Sequence, residues 1–132
     1  MVFQLKTPGM IARMLLWTSI LTILFSCSQA QGVSFFEGSY PDAQAEALRS
    51  QKPLFVFCYA SWNTNSNRML KQVFTQKEVG DFFNGNYVCL KMDMEKDEGS
   101  QLARRWRIRA YPTYLFFHSV GDKVDRAMGE KD

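Results

Sequence analysis

The sequence predicts an α/β fold: a three-layer sandwich in which helices cover both faces of a mixed sheet, with a parallel core and a C-terminal β-hairpin. Three observations carry this prediction. Extended and helical patterns alternate along the chain after residue 30. The run from Leu54 to Ala60 is apolar without alternation, as in a strand covered on both faces. The last two extended runs are separated only by the turn sequence "VGDK". Alternation places parallel strands beside crossover helices, and the closing hairpin adds an antiparallel edge.

The elements follow in order. "VSFF" (Val33 to Phe36) is a short extended segment. "SYPDAQAEALRSQ" reads as a helix: Ser39 is the N-cap with Asp42 three residues on, Pro41 suits the first turn, and Ala43, Ala47 and Leu48 share a face. The Leu54–Ala60 strand comes next. The polar patch "SWNTNSN" then leads into "RMLKQVF", helical by the spacing of Met69, Leu70, Val73 and Phe74. Thr75 and Glu78 have the spacing of a second capping box, opening "QKEVGDFFN" with Val79, Phe82 and Phe83 on one face. Asn84-Gly85 signals a turn. "NYVCLKMDM" is a strand, "DMEKDEGS" a charged loop and "SQLARRWRI" a short helix. "AYPTYLFFHS" is a strand entered through a proline, and "KVDRAMG" is its hairpin partner.

Composition bounds the rest. A chain of 132 residues holds one domain, and 46% hydrophobic residues with 11 Phe suffice for a single core. Residues 1–30 carry Lys6 and Arg13 and no acid, which leaves 14 basic against 13 acidic residues in the remainder. That balance gives no electrostatic footprint for nucleic acid. Residues 1–30 read as a targeting segment, in which Lys6 and Arg13 precede the apolar run "MLLWTSILTILF", Met14 to Phe25. The run is shorter than the ~20 apolar residues of a membrane span. Two processing sites compete. "SQA" before Gln31 is a small-x-small site that would release residues 31–132 as an exported domain. "LFSC" is similar to a bacterial lipoprotein box, which would end the signal at residue 26 and lipidate Cys27. The short tether from Cys27 to the globular pattern favours the first, and either route takes the protein out of the cytoplasm. Export implies an oxidising compartment. The remaining cysteines, Cys58 and Cys89, lie in strand-like runs, with no CxxC or zinc-ligand spacing between them.

From Val33 to Gly129 the chain resembles the thioredoxin-like superfamily, in its exported bacterial branch. The landmarks are "KPLFVFCYASW" as central strand and Trp, "NRMLKQVF" as the following helix, "VCLKMDME" as the next strand, and "RIRAYPTYLFF". The resemblance implies a cis bond before Pro112, with Tyr111-Pro112 facing the active-site turn. It also places the family's W-C-x-x-C motif on Trp62-Asn63-Thr64-Asn65-Ser66, so the two cysteine positions hold Asn63 and Ser66. A dithiol mechanism needs a thiolate at the first position and a resolving thiol at the second. The buried acid that assists proton transfer in many relatives would fall on Phe57. Nucleophile, resolving thiol and relay are all replaced, and no cofactor or metal is expected. Relatives also end with an amphipathic helix that covers one sheet face after the position of "AMG". In this sequence only "GEKD" follows, so that helix is expected to be missing and one apolar face uncovered.

The expectation is therefore an exported thioredoxin-like domain that binds extended or unfolded polypeptide, through Trp62, Asn63, Thr64, Asn65, Ser66, Tyr111 and Pro112. A membrane enters only through a lipid anchor at Cys27. The competing enzyme reading is a residual thiol-disulfide activity from Cys58, or glutathione-transferase-like binding at the Asn63/Ser66 helix start. A third reading is a truncated remnant without function. The plainer alternatives are that Asn63 and Ser66 cap a helix, that Cys58 and Cys89 are free core thiols, and that Trp62, Tyr59 and Tyr111 pack at a rim. For His118 the expectation is a solvated strand-end residue. The cluster Arg104, Arg105, Arg107 and Arg109 is expected to form a solvated helix end.

Overall fold

A computed structural model describes residues 31–118 and 123–128. The targeting segment with Cys27, residues 120–122 of the "VGDK" turn and the tail on which the closing-helix expectation rests all lie outside the described residues. Helix α1 spans Tyr40–Ser50, strand β1 Leu54–Tyr59, helix α2 Thr64–Arg68, helix α3 Lys77–Asn86, strand β2 Val88–Asp93, helix α4 Asp97–Arg105, strand β3 Thr113–Phe117 and strand β4 Lys123–Met128. A π-helical segment, Met69–Val73, continues α2. The sheet order is β2-β1-β3-β4. β1 pairs parallel with β2 and antiparallel with β3, and β3 with β4 form the hairpin. This is the expected thioredoxin-like α/β sandwich with a mixed sheet.

β1 is central because both of its faces are apolar. Leu54, Val56 and Cys58 point into one core with Ala43 and Ala47 of α1, Leu102 of α4 and Leu115 of β3. Phe55 and Phe57 point into the other, against Met69, Phe74 and Tyr114. The second core is largely aromatic: the Phe57 and Phe74 ring centroids lie 4.9 Å apart, edge to face, and those of Phe55 and Phe83 4.6 Å apart. Such pairs add to plain area burial. On this face a groove of about 550 Å³ opens between the π segment, α3 and the β3–β4 hairpin, floored by Phe55, Tyr114 and Phe116.

Capping of α1 follows the sequence: Ser39 and Asp42 form the reciprocal box, with Asp42 N–H donating to Ser39 Oγ at 3.3 Å and Ser39 N–H to Asp42 Oδ2 at 3.2 Å. Five local expectations are corrected. The helix after the polar patch begins inside it, at Thr64, and becomes π-helical rather than α-helical over Met69–Val73. The Thr75/Glu78 box does not form. Thr75 Oγ1 instead donates back to Lys71 O at 3.0 Å, and α3 starts behind Gln76, which makes no side-chain cap. Asn84-Gly85 is not a turn, because α3 continues through Asn86. The Asn84 side chain is used elsewhere: Oδ1 accepts from Ser34 N–H at 2.8 Å and Nδ2 donates to Gly32 O at 3.1 Å, which ties the segment before α1 to the core. Half of the expected charged loop is helical, since α4 begins at Asp97. There Gly99 is required by close approach, as a Cβ would stand 2.0 Å from Asp93 O. The segment Val33 to Phe36 contributes a single parallel bridge, Phe35 to Cys89, rather than a full strand.

Candidate functional site

The turn between β1 and α2 is built by side chains. Asn63 holds the extended backbone of an N-cap, and its Oδ1 accepts from Ser66 N–H at 2.8 Å. Asn67 Nδ2 donates to Ser61 O at 2.9 Å, and Asn63 N–H to Ala60 O at 3.0 Å. Asn63 is thus committed to capping, the structural role weighed for it above. Thr64 and Asn65 are exposed. Ser66 is fully buried, and its Oγ finds no hydrogen-bond partner among the described residues.

Trp62 stands out from this turn. It is 64% exposed although it is one of the largest apolar side chains in the molecule. Its indole and the Tyr111 ring make a T-shaped pair, with centroids 6.0 Å apart and an interplanar angle of 82°. The indole Nε1–H donates to Glu95 Oε2 at 2.7 Å. Glu95 was not legible as a site residue, since it lies 33 positions from Trp62 in a run that reads as a charged loop. The Tyr111–Pro112 bond is cis, as the resemblance implies, and Pro112 is buried. Thr113 behind it is fully buried, with Oγ1 donating to Ala110 O at 2.8 Å. Tyr59 does not join the pair; it stacks on Phe57 at 5.9 Å, in the other core. Burial raises the Tyr111 phenol above its ordinary range, and the nearby carboxylates of Glu95 and Asp93 add to this.

The two thiols are both free and buried. They cannot meet. Cys89 is opposite Phe55 in the β1–β2 register, whereas Cys58 is opposite Met92, and the two point into different cores. Burial pushes the Cys89 thiol up to about 12 and the Cys58 thiol well above its ordinary range, with Arg126 a smaller opposing influence on Cys58. Phe57 is fully buried against Phe74 and Tyr114. His118 is exposed directly after β3, and Arg104, Arg105, Arg107 and Arg109 are exposed at and beyond the end of α4, as expected. No group of His, Cys, Asp or Glu among the described residues has the geometry to hold a metal ion.

Comparison with known proteins fits this geometry. A sequence model of the thioredoxin-like family matches residues 36–119. A thioredoxin of Chlorobaculum thiosulfatiphilum is 32% identical over 95 residues, covering 72% of this chain and 82% of its own. Among solved structures, a candidate disulphide-isomerase from Bacteroides thetaiotaomicron superposes with a TM-score of 0.70 at 44% identity, over 80% of this chain and 87% of its own. A thioredoxin from Thermus thermophilus superposes with a TM-score of 0.66 at 22% identity, over 76% of this chain and 78% of its own, and that likeness speaks to the fold alone. With the family model spanning well over half of the chain and a thioredoxin matched at 32% identity, the chain belongs to the thioredoxin-like family.

Proposed function

We propose that this protein is an exported thioredoxin-like domain that binds extended or unfolded polypeptide without dithiol chemistry. The observation that carries the reading is the exposed Trp62 beside Tyr111 and the cis-Pro112 loop, at a site whose two cysteine positions hold Asn63 and Ser66. A large aromatic held in water by its neighbours favours contact with a partner over core packing. An extended segment lying along the Pro112 loop would use backbone hydrogen bonds for affinity and the aromatic pair for side-chain selection. Disulphide-isomerase and thioredoxin are the names of the similar proteins, and thiol exchange is therefore the reading to exclude. Against it stand the capping role of Asn63, the full burial of Ser66 Oγ, which keeps it from a glutathione thiolate, and the buried Cys58, whose raised thiol is a poor nucleophile. The domain acts outside the cytoplasm in this proposal, as a free protein starting at Gln31 or tethered through a lipid on Cys27.

The test is fluorescence anisotropy of labelled extended peptides with the purified chain. Binding is expected to weaken roughly 30-fold or more in a Trp62→Ala, Tyr111→Ala double variant, the scale of a central aromatic hot spot. Trp62 is exposed enough that its removal should leave the fold intact. Absence of binding to any unfolded client would remove the reading. Reduction of insulin disulphides by the protein, lost in Cys58→Ser, would replace it with the enzyme reading.

A further inference from the structure

The corner that Trp62 shares with Tyr111 is not electrically neutral. Glu95 Oε2 accepts the Trp62 indole proton at 2.7 Å, and the Glu95 backbone N–H donates to Asp93 Oδ1 at 3.1 Å, so the Asp93 carboxylate holds the backbone that carries Glu95. The nearest cation in sequence, Lys96, is engaged with Asp93 at 3.5 Å. Glu95 itself is exposed and makes no ion pair among the described residues. Among the described residues its carboxylate makes one hydrogen bond, to the indole, which leaves the second oxygen open to a partner. Glu95 and Asp93 both act on the Tyr111 phenol after the larger effect of burial, so their negative potential reaches across the aromatic pair. An exposed indole next to a carboxylate without an ion pair among the described residues is the combination that holds an ammonium or guanidinium group: the ring quadrupole and the carboxylate both attract it.

We propose that Glu95 and Trp62 give the site a preference for polypeptide segments bearing a Lys or Arg, whose head group lies on the Trp62 indole face and pairs with Glu95. Glu95 is thereby a specificity-determining residue, and it also positions Trp62 through the indole bond. This inference rests on the polypeptide-binding reading, and its test separates the two.

Three labelled ten-residue peptides, identical except for Lys, Gln or Glu at the central position, are titrated against the full chain by fluorescence anisotropy. The Lys peptide is expected to bind about 5–10-fold more tightly than the Gln peptide, and the Glu peptide most weakly, with the spread shrinking at 0.5 M salt as exposed charges are screened. Glu95→Gln keeps an oxygen for the indole proton and should bring the Lys-to-Gln ratio to about one. Glu46→Gln on α1 removes the same charge elsewhere and should leave the ratio in place. Thermal unfolding of each variant shows that the fold is retained. Equal binding of the Lys and Gln peptides, or a ratio that survives Glu95→Gln, overturns the inference while the polypeptide reading stands. No binding by any of the three overturns both.

Discussion

Replacing Ser66 by alanine is expected to stabilise the fold. Ser66 is fully buried in the first turn of α2, its backbone N–H is already satisfied by Asn63, and its hydroxyl has no partner among the described residues. A buried hydroxyl left without a hydrogen bond costs about 1–3 kcal/mol relative to one in water. Alanine is also the better helix former, by up to about 0.5 kcal/mol. Against these gains stands the lost packing of one oxygen, which leaves a void smaller than a methyl group and costs less than about 1 kcal/mol. The balance is a gain of about 1 kcal/mol, or a rise in Tm of roughly 4–8 °C for a domain of this size. Urea unfolding followed by far-UV circular dichroism measures it: the midpoint should rise while the m-value stays constant. A loss of 1 kcal/mol or more in Ser66→Ala would show that the hydroxyl is bound in the native state, and the account of this position as an unpaired remnant would fall.

Two further outcomes follow from the same geometry. Asn63→Ala should destabilise the protein by about 1 kcal/mol in the same urea assay, the usual cost of an N-cap, whereas Asn63→Asp should be nearly neutral because it keeps the acceptor for Ser66 N–H; equal stability of Asn63→Ala and the parent would deny the cap its role. The raised thiols make stability fall in alkali: an unfolded Cys89 titrates near 9.0 and the folded one near 12, so the unfolded chain loses its proton first. Stability should be level below about pH 8 and drop by about 1 kcal/mol per buried thiol between pH 9 and 10, with Cys89→Ala removing about 1 kcal/mol of that drop. A flat profile over this interval would mean that the thiols are not buried as described.

Much of the fold was legible because it depends on patterns that survive in one dimension. The uninterrupted apolar run at Leu54–Tyr59 announced a strand covered on both faces, and Ser39 with Asp42 announced the start of α1, since a capping box involves only residues three apart. Where the local signals failed, another contact had taken over the group concerned. Asn84 looked like a turn residue until its side chain was committed to the backbone of Gly32 and Ser34, some 50 positions away. Thr75 looked like a cap until its hydroxyl was drawn back to Lys71. The π-helical segment at Met69–Val73 has no spacing signature that separates it from an α-helix.

The sequence by itself determined the family's frame and the absence of sulfur at positions 63 and 66, because residue identity alone decides that. It also placed Tyr111-Pro112 next to that frame through resemblance. Only the tertiary structure decided that Trp62 faces water while Ser66 is sealed inside, and that Cys58 and Cys89 point into opposite cores. It alone brought Glu95 to the indole of Trp62. Exposure and charge proximity are properties of how β1, β2 and the Pro112 loop converge, and strands that meet in space need leave no common period in the chain.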